Sequence, residues 1–81
     1  MDVRMKMPDL STNEGADIAI IKWFVDVGAS VRRGQALLEV ETDKAVQEIE
    51  SIATGTLTAI HAGPTDRVAV GQIIATITVS R

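Results

Sequence analysis

No cysteine occurs among the 81 residues. That excludes a disulfide framework and a thiolate metal site, and it fits a reducing compartment. A single histidine, His61, leaves no second imidazole to complete a metal or acid–base site. Tyrosine is absent, and Trp23 and Phe24 are the only aromatics. With a formal net charge of −3 and no basic run longer than Arg32-Arg33, the chain has little to neutralise phosphates or stack on bases. Nucleic acid is therefore excluded as a partner. The longest apolar run, Ile18 to Ile21, is four residues, far short of the roughly 20 that span a bilayer. The start, Met1-Asp2-Val3-Arg4, lacks the charged-then-apolar layout of a signal peptide.

What is present is β-branched. Apolar residues make up 46% of the chain, and valine, isoleucine and threonine dominate, side chains that suit half-buried strands. Turn residues recur at Pro8-Asp9, Asn13-Glu14-Gly15, Gly28, Gly34, Asp43-Lys44, Gly55, Gly63-Pro64 and Gly71. Runs of strand length lie between them, the spacing of a small sandwich or barrel, and no window carries a helical period. Leu38-Val40-Thr42 alternates with Glu39-Glu41-Asp43, and in Ile18 to Val25 the parity of Ala19, Ile21, Trp23 and Val25 predicts the buried side. Met5 and Met7 read as core filler. Residues 1–81 are expected to form one all-β domain, soluble and cytoplasmic.

The chain also repeats. A shift of 37 residues lays Val31, Gly34 and Gln35 on Val68, Gly71 and Gln72, and lays Ile20, Trp23, Leu37 and Val40 on Leu57, Ile60, Ile74 and Ile77. Glycines and β-branched residues align easily in any β protein, so chance agreement is the competing reading. If the repeat is real, two copies this short must share one core, most simply as two sheets about a pseudo-twofold axis. Asp43 and Lys44 then superpose on Ser80 and Arg81, which predicts that the Asp43-Lys44 turn and the chain termini lie at opposite ends.

Between Arg33 and Arg67 the only cation is Lys44, and Glu39, Glu41, Asp43, Glu48 and Glu50 surround it. With Asp43 and Lys44 at the centre of a hairpin turn of type I geometry, Thr42 faces Ala45, Glu41 faces Val46, Val40 faces Gln47, Glu39 faces Glu48 and Leu38 faces Ile49. Glu39 opposite Glu48 is a mildly destabilising like-charge pair without a nearby cation to relieve it. Two readings of Lys44 stand side by side. A turn lysine can be a simple solubilising residue. It can also be a modification site, a primary amine on a rigid turn within an acidic surface, with Glu41 available for recognition or solvation. Glu39 and Glu41 on an exposed face are poor general acids, which need shielding.

Met7-Pro8-Asp9-Leu10, Trp23 to Val25, Gly28, Val31, Gly34, the run Glu39-Val40-Glu41-Thr42-Asp43-Lys44-Ala45, Gly55 and Val68 to Gly71 together resemble the lipoyl domains of 2-oxo acid dehydrogenase complexes. In those complexes the domain is the N-terminal module of the dihydrolipoamide acyltransferase. The resemblance covers residues 5 to 78. It implies a flattened barrel of two four-stranded sheets with internal pseudo-twofold symmetry (a barrel-sandwich hybrid), and a non-catalytic carrier without catalytic or metal-binding residues. It implies that Lys44 is joined by an amide bond to lipoic acid as a swinging arm. Asp43 and Ala45, with Glu41, would help a lipoylating enzyme recognise the lysine. The other partners implied are a thiamine-diphosphate 2-oxo acid decarboxylase that acylates the arm, an acyltransferase catalytic domain that passes the acyl group to coenzyme A, and a flavin-dependent dihydrolipoyl dehydrogenase.

Where the sequence departs from the family, Ile18 and Thr65 stand at positions commonly held by glycine. The stretch Ser11 to Asp17 is longer than usual, and the family's corresponding loop helps choose the cognate decarboxylase, which points to Ser11, Thr12, Asn13 and Glu14 as partner-reading residues. The alternatives are a biotinyl carrier domain, which normally has methionine on both sides of its lysine, and an unmodified lipoyl-like structural module, which lacks the Asp-Lys-Ala turn. Pyruvate, 2-oxoglutarate, a branched-chain acid and acetoin all suit the resemblance. A monomer is expected because the shared core uses the apolar stripes. The setting is the cytoplasm of a bacterium or, as the second choice, the mitochondrial matrix.

Overall fold

A computed structural model of the chain describes residues 1–9, 18–42 and 44–79. Eight strands occur, β1 (Asp2–Lys6), β2 (Ile18–Trp23), β3 (Ser30–Val31), β4 (Ala36–Glu41), β5 (Val46–Glu50), β6 (Gly55–Ile60), β7 (Arg67–Val68) and β8 (Ile73–Thr78), with no helix among the described residues. They form two four-stranded antiparallel sheets, ordered β1-β8-β6-β3 and β5-β4-β2-β7. Exchanging β1 with β5, β2 with β6, β3 with β7 and β4 with β8 turns one sheet order into the other. The sequence repeat is therefore a structural pseudo-twofold.

The repeat holds bond by bond. Leu57 N–H donates to the Ala29 carbonyl as Ile20 N–H donates to that of Asp66, and Phe24 N–H reaches Leu37 as His61 N–H reaches Ile74. The identical Gln35 and Gln72 close equivalent turns, each side-chain oxygen accepting from the N–H three residues earlier, Arg32 at 2.9 Å and Ala69 at 3.2 Å. Gly34 and Gly71 take left-handed φ of 89° and 88° in those turns, a conformation that glycine adopts without steric cost. The halves differ in length between their first two strands: eleven residues separate β1 from β2, against four between β5 and β6.

One core fills the space between the sheets, with Met5, Met7, Ile18, Ile20, Leu37, Leu57, Ile74 and Ile77 among its fully buried members. Both methionines are fillers, as expected. The buried parity of β2 is a correction. Ile18 and Ile20 face the core, not Ala19 and Ile21. A bulge at Ile21, between the pairs Ile20↔Val40 and Lys22↔Glu39, adds one residue and inverts the alternation. Trp23 and Val25 therefore pack against the core as predicted, and the Trp23 indole N–H donates to the Ala62 carbonyl at 2.8 Å. Its mate is the bulge between Leu57 and Ala59 in β6.

The apolar stripes are not all used by the core, contrary to expectation. Ile21, Phe24, Val27, Val46, Ile52, Val70 and Ile73 are exposed, on different turns and strands. No described helix is long and apolar enough to cross a membrane.

Candidate functional site

The β4–β5 hairpin adopts the predicted register residue for residue: Leu38↔Ile49, Glu39↔Glu48, Val40↔Gln47 and Glu41↔Val46. Thr42 N–H donates to the Ala45 carbonyl at 2.9 Å, so Thr42 faces Ala45 as predicted. Leu38, Val40 and Ile49 anchor the hairpin in the core. Burying these aliphatic side chains stabilises the platform by about 1.5–3 kcal/mol each. Lys44 and Ala45 are exposed at its tip.

The position of the tip follows from the pseudo-twofold. Thr42 N–H to Ala45 carbonyl is matched by Val79 N–H to the carbonyl of Met1. Thus the lysine turn occupies one end of the molecule and the meeting point of the two termini occupies the equivalent place at the other. The envelope measures 39 × 19 × 18 Å, so the amine is displayed far from any tether attached at either terminus.

Thr42 is the residue that the sequence reading underrated. The pattern gives its place in the alternation of β4 and its position opposite Ala45, but no role for its hydroxyl; it is buried at 8% exposure. Its hydroxyl donates to the Ala45 carbonyl at 3.1 Å and accepts from Lys44 N–H and Ala45 N–H, both at 3.2 Å. The signal was available, since a threonine opening a tight turn commonly bonds the N–H groups two and three residues on.

Glu41 and Glu48 are exposed and Glu39 is half-buried, on the outer face of the hairpin. The like-charge pair Glu39↔Glu48 is present, but the prediction that no cation stands near it is corrected. Lys22 of β2 lies directly across from Glu39 on the other side. Its Nζ sits 5.5 Å from the Phe24 ring centroid. A linear reading misses Lys22 because the strand partner is distant in sequence. Asp43, Ser11, Thr12, Asn13 and Glu14 lie outside the described residues, as do the subtype of the lysine turn and Ser80-Arg81. His61 is exposed just beyond β6 and shares a 3.0 Å hydrogen bond between its Nε2 and the Thr76 hydroxyl.

A core-anchored hairpin holds an exposed primary amine at its tip, on a scaffold of two four-stranded sheets with no helix among the described residues, an arrangement suited to a carrier domain. The family model described as "Biotin-requiring enzyme" matches residues 3–77. The dihydrolipoyllysine-residue acetyltransferase component of the pyruvate dehydrogenase complex of Zymomonas mobilis is 40% identical over 78 residues, 93% of this chain and 17% of that protein. The dihydrolipoyllysine-residue succinyltransferase component of the 2-oxoglutarate dehydrogenase complex of Staphylococcus saprophyticus is 41% identical over 75 residues, 90% of this chain and again 17% of that protein. The chain thus spans less than a fifth of these relatives' length. Among solved structures, the lipoyl domain of the 2-oxoglutarate dehydrogenase complex from Azotobacter vinelandii superposes with a TM-score of 0.78 at 28% identity, covering 98% of this chain and 99% of that one.

The chain belongs to the biotin/lipoyl domain family and falls with its lipoyl domains, which are carrier modules without catalysis of their own. These relatives favour the lipoyl over the biotinyl reading.

Proposed function

We propose that this chain carries lipoic acid in amide linkage on Lys44 and serves as the mobile carrier of a 2-oxo acid or acetoin dehydrogenase complex. The observation that carries the reading is the exposed Lys44 on a hairpin whose register is anchored by Leu38, Val40 and Ile49. The residues fit the group: an amide needs a reachable primary amine, and the turn offers one at the end away from the termini. When attached, the dithiolane supplies a disulfide that takes up an acyl group and two electrons together. The chain's own contribution is to hold the attachment point still, so that the freedom of the arm begins at the lysine side chain. Amide formation also removes the lysine charge, making the formal net charge of −3 more negative by one unit.

In this reading Glu41, Asp43 and Ala45 are the residues read by the lipoylating enzyme. Ser11, Thr12, Asn13 and Glu14, in the stretch of sequence between β1 and β2, select the decarboxylase. The partners are that thiamine-diphosphate enzyme, an acyltransferase catalytic domain and a dihydrolipoyl dehydrogenase. The chain works as a monomer in the cytoplasm of a bacterium. The mitochondrial matrix is the second setting, since a similar branched-chain acyltransferase of Arabidopsis thaliana is mitochondrial.

The test offers the lipoylated chain to decarboxylases specific for pyruvate, 2-oxoglutarate, branched-chain 2-oxo acids and acetoin. Acyl transfer is followed by intact mass. Rapid acylation by one enzyme, slowed by exchanging residues 11–14 for those of another complex, supports the reading. Equal, slow acylation by all four contradicts the role of the loop.

A further inference from the structure

The Thr42 hydroxyl uses its full bonding capacity, one donor and two acceptor sites. All three bonds go to the backbone of the lysine turn: out to the Ala45 carbonyl, in from the N–H groups of Lys44 and Ala45. In a two-residue hairpin turn the last N–H ordinarily closes on the carbonyl of the first residue. Here that donor is given to the side chain instead, which also captures the N–H of the lysine itself. Because Thr42 is largely buried, this acceptor is shielded from competing water.

The pseudo-twofold supplies an internal control. The position equivalent to Thr42 is Val79, and its backbone makes the same ladder bond, Val79 N–H to the Met1 carbonyl. Valine has the shape of threonine without the hydroxyl. The fold thus accepts a β-branched apolar residue where the strands end at the termini, and it has a hydroxyl where the chain must turn and present Lys44. Core packing alone asks for the β-branched shape. The oxygen answers a need found only at the lysine end.

We propose that Thr42 is a positioning residue for Lys44. Its buried hydroxyl pins the backbone N–H groups of Lys44 and Ala45 and thereby sets the direction in which the lysine side chain leaves the turn toward a modifying enzyme. The proposal rests on the reading of Lys44 as the lipoyl attachment site.

The experiment compares Thr42→Val, which keeps the shape, with Thr42→Ser, which keeps the hydroxyl, in the whole chain. Two quantities are measured: amide hydrogen exchange by NMR, and the kcat/KM of lipoate–protein ligase with the chain as varied substrate. In Thr42→Val, exchange at Lys44 and Ala45 is expected to quicken about tenfold, the size of one lost hydrogen bond. Exchange at Leu38 and Val40 stays at the parent rate, and ligase kcat/KM falls by a similar factor. Thr42→Ser restores both. A merely packing role would disturb the core amides as well and would not be rescued by serine.

Parent-like exchange and lipoylation in Thr42→Val would overturn the proposal. If Thr42→Val does not fold, Thr42→Ala removes the hydroxyl with less bulk and is judged by the same two readouts. If the parent itself takes no lipoyl group, the carrier reading fails. The exchange data still decide whether Thr42 holds the turn, so the two failures are separable.

Discussion

Thr65 occupies the place that Gly28 holds in the other half of the repeat, and it shares the left-handed backbone, with φ 71° against 100° for Gly28. Each donates its N–H across the molecule, Thr65 to the Ile20 carbonyl and Gly28 to that of Leu57. The conformation is therefore held by the fold rather than chosen by the side chain. A β-branched residue in that region costs about 1–2 kcal/mol, partly offset by the smaller entropy it loses on folding. Since Thr65 is exposed, Thr65→Gly should raise stability by about 0.5–1 kcal/mol, read as a higher urea midpoint at unchanged slope. Gly28→Ala should lower it by about 1 kcal/mol. Single residues were legible where their chemistry is local. The place of Lys44 at an exposed hairpin tip, the core methionines Met5 and Met7 and the turn glycines were legible in the letters. Thr42 was not, because its alternation announced an inward side chain while its hydroxyl serves the backbone beyond the strand.

At the scale of elements, the β4–β5 hairpin was legible to the residue because its two-residue turn leaves one register that keeps Leu38, Val40 and Ile49 on the same side. β2 was not, because one bulged residue at Ile21 reverses the parity on which any pattern count depends. Within the hairpin, Glu39 faces Glu48. Glu48→Lys should stabilise the domain by about 0.5 kcal/mol in low salt. The gain should shrink in 1 M salt, where screening is nearly complete. Chemical denaturation by urea at the two ionic strengths checks both statements. β6 begins at a second constrained point. A side-chain carbon on Gly55 would overlap the Thr78 carbonyl of the neighbouring strand. Its mate in β2 is Ile18, fully buried, so the pseudo-twofold breaks here in side-chain volume. Gly55→Ala should cost about 1–3 kcal/mol, as overpacking does, and a thermal melt would show it.

At the scale of the whole molecule, neither half of the repeat is a folding unit. β1 pairs with β8, β3 with β6 and β2 with β7, so both sheets draw strands from both halves. Cutting the β5–β6 loop, which leaves β1–β5 in one piece and β6–β8 in the other, should give fragments 1–53 and 54–81 that are unfolded apart and recover dispersed NMR signals when mixed. A dispersed spectrum from either fragment alone would contradict the shared-core account. The pseudo-twofold was visible as an ungapped repeat because turn glycines and core positions obey one spacing. Between β1 and β2, where partner choice is proposed to lie, eleven residues stand against four between β5 and β6, and the added stretch has nothing in the second half to compare it with.

The same symmetry puts the lysine turn and the termini at opposite ends, and the central claim is that this arrangement displays Lys44 for lipoylation. The most direct measurement is intact-mass spectrometry of the chain after incubation with lipoate–protein ligase, ATP and lipoic acid, with Lys44→Arg alongside. A single lipoyl adduct on the parent and none on the variant is the predicted result. A folded parent that takes no adduct, or an adduct that persists in Lys44→Arg, would remove Lys44 as the attachment point and leave the hairpin as a structural feature.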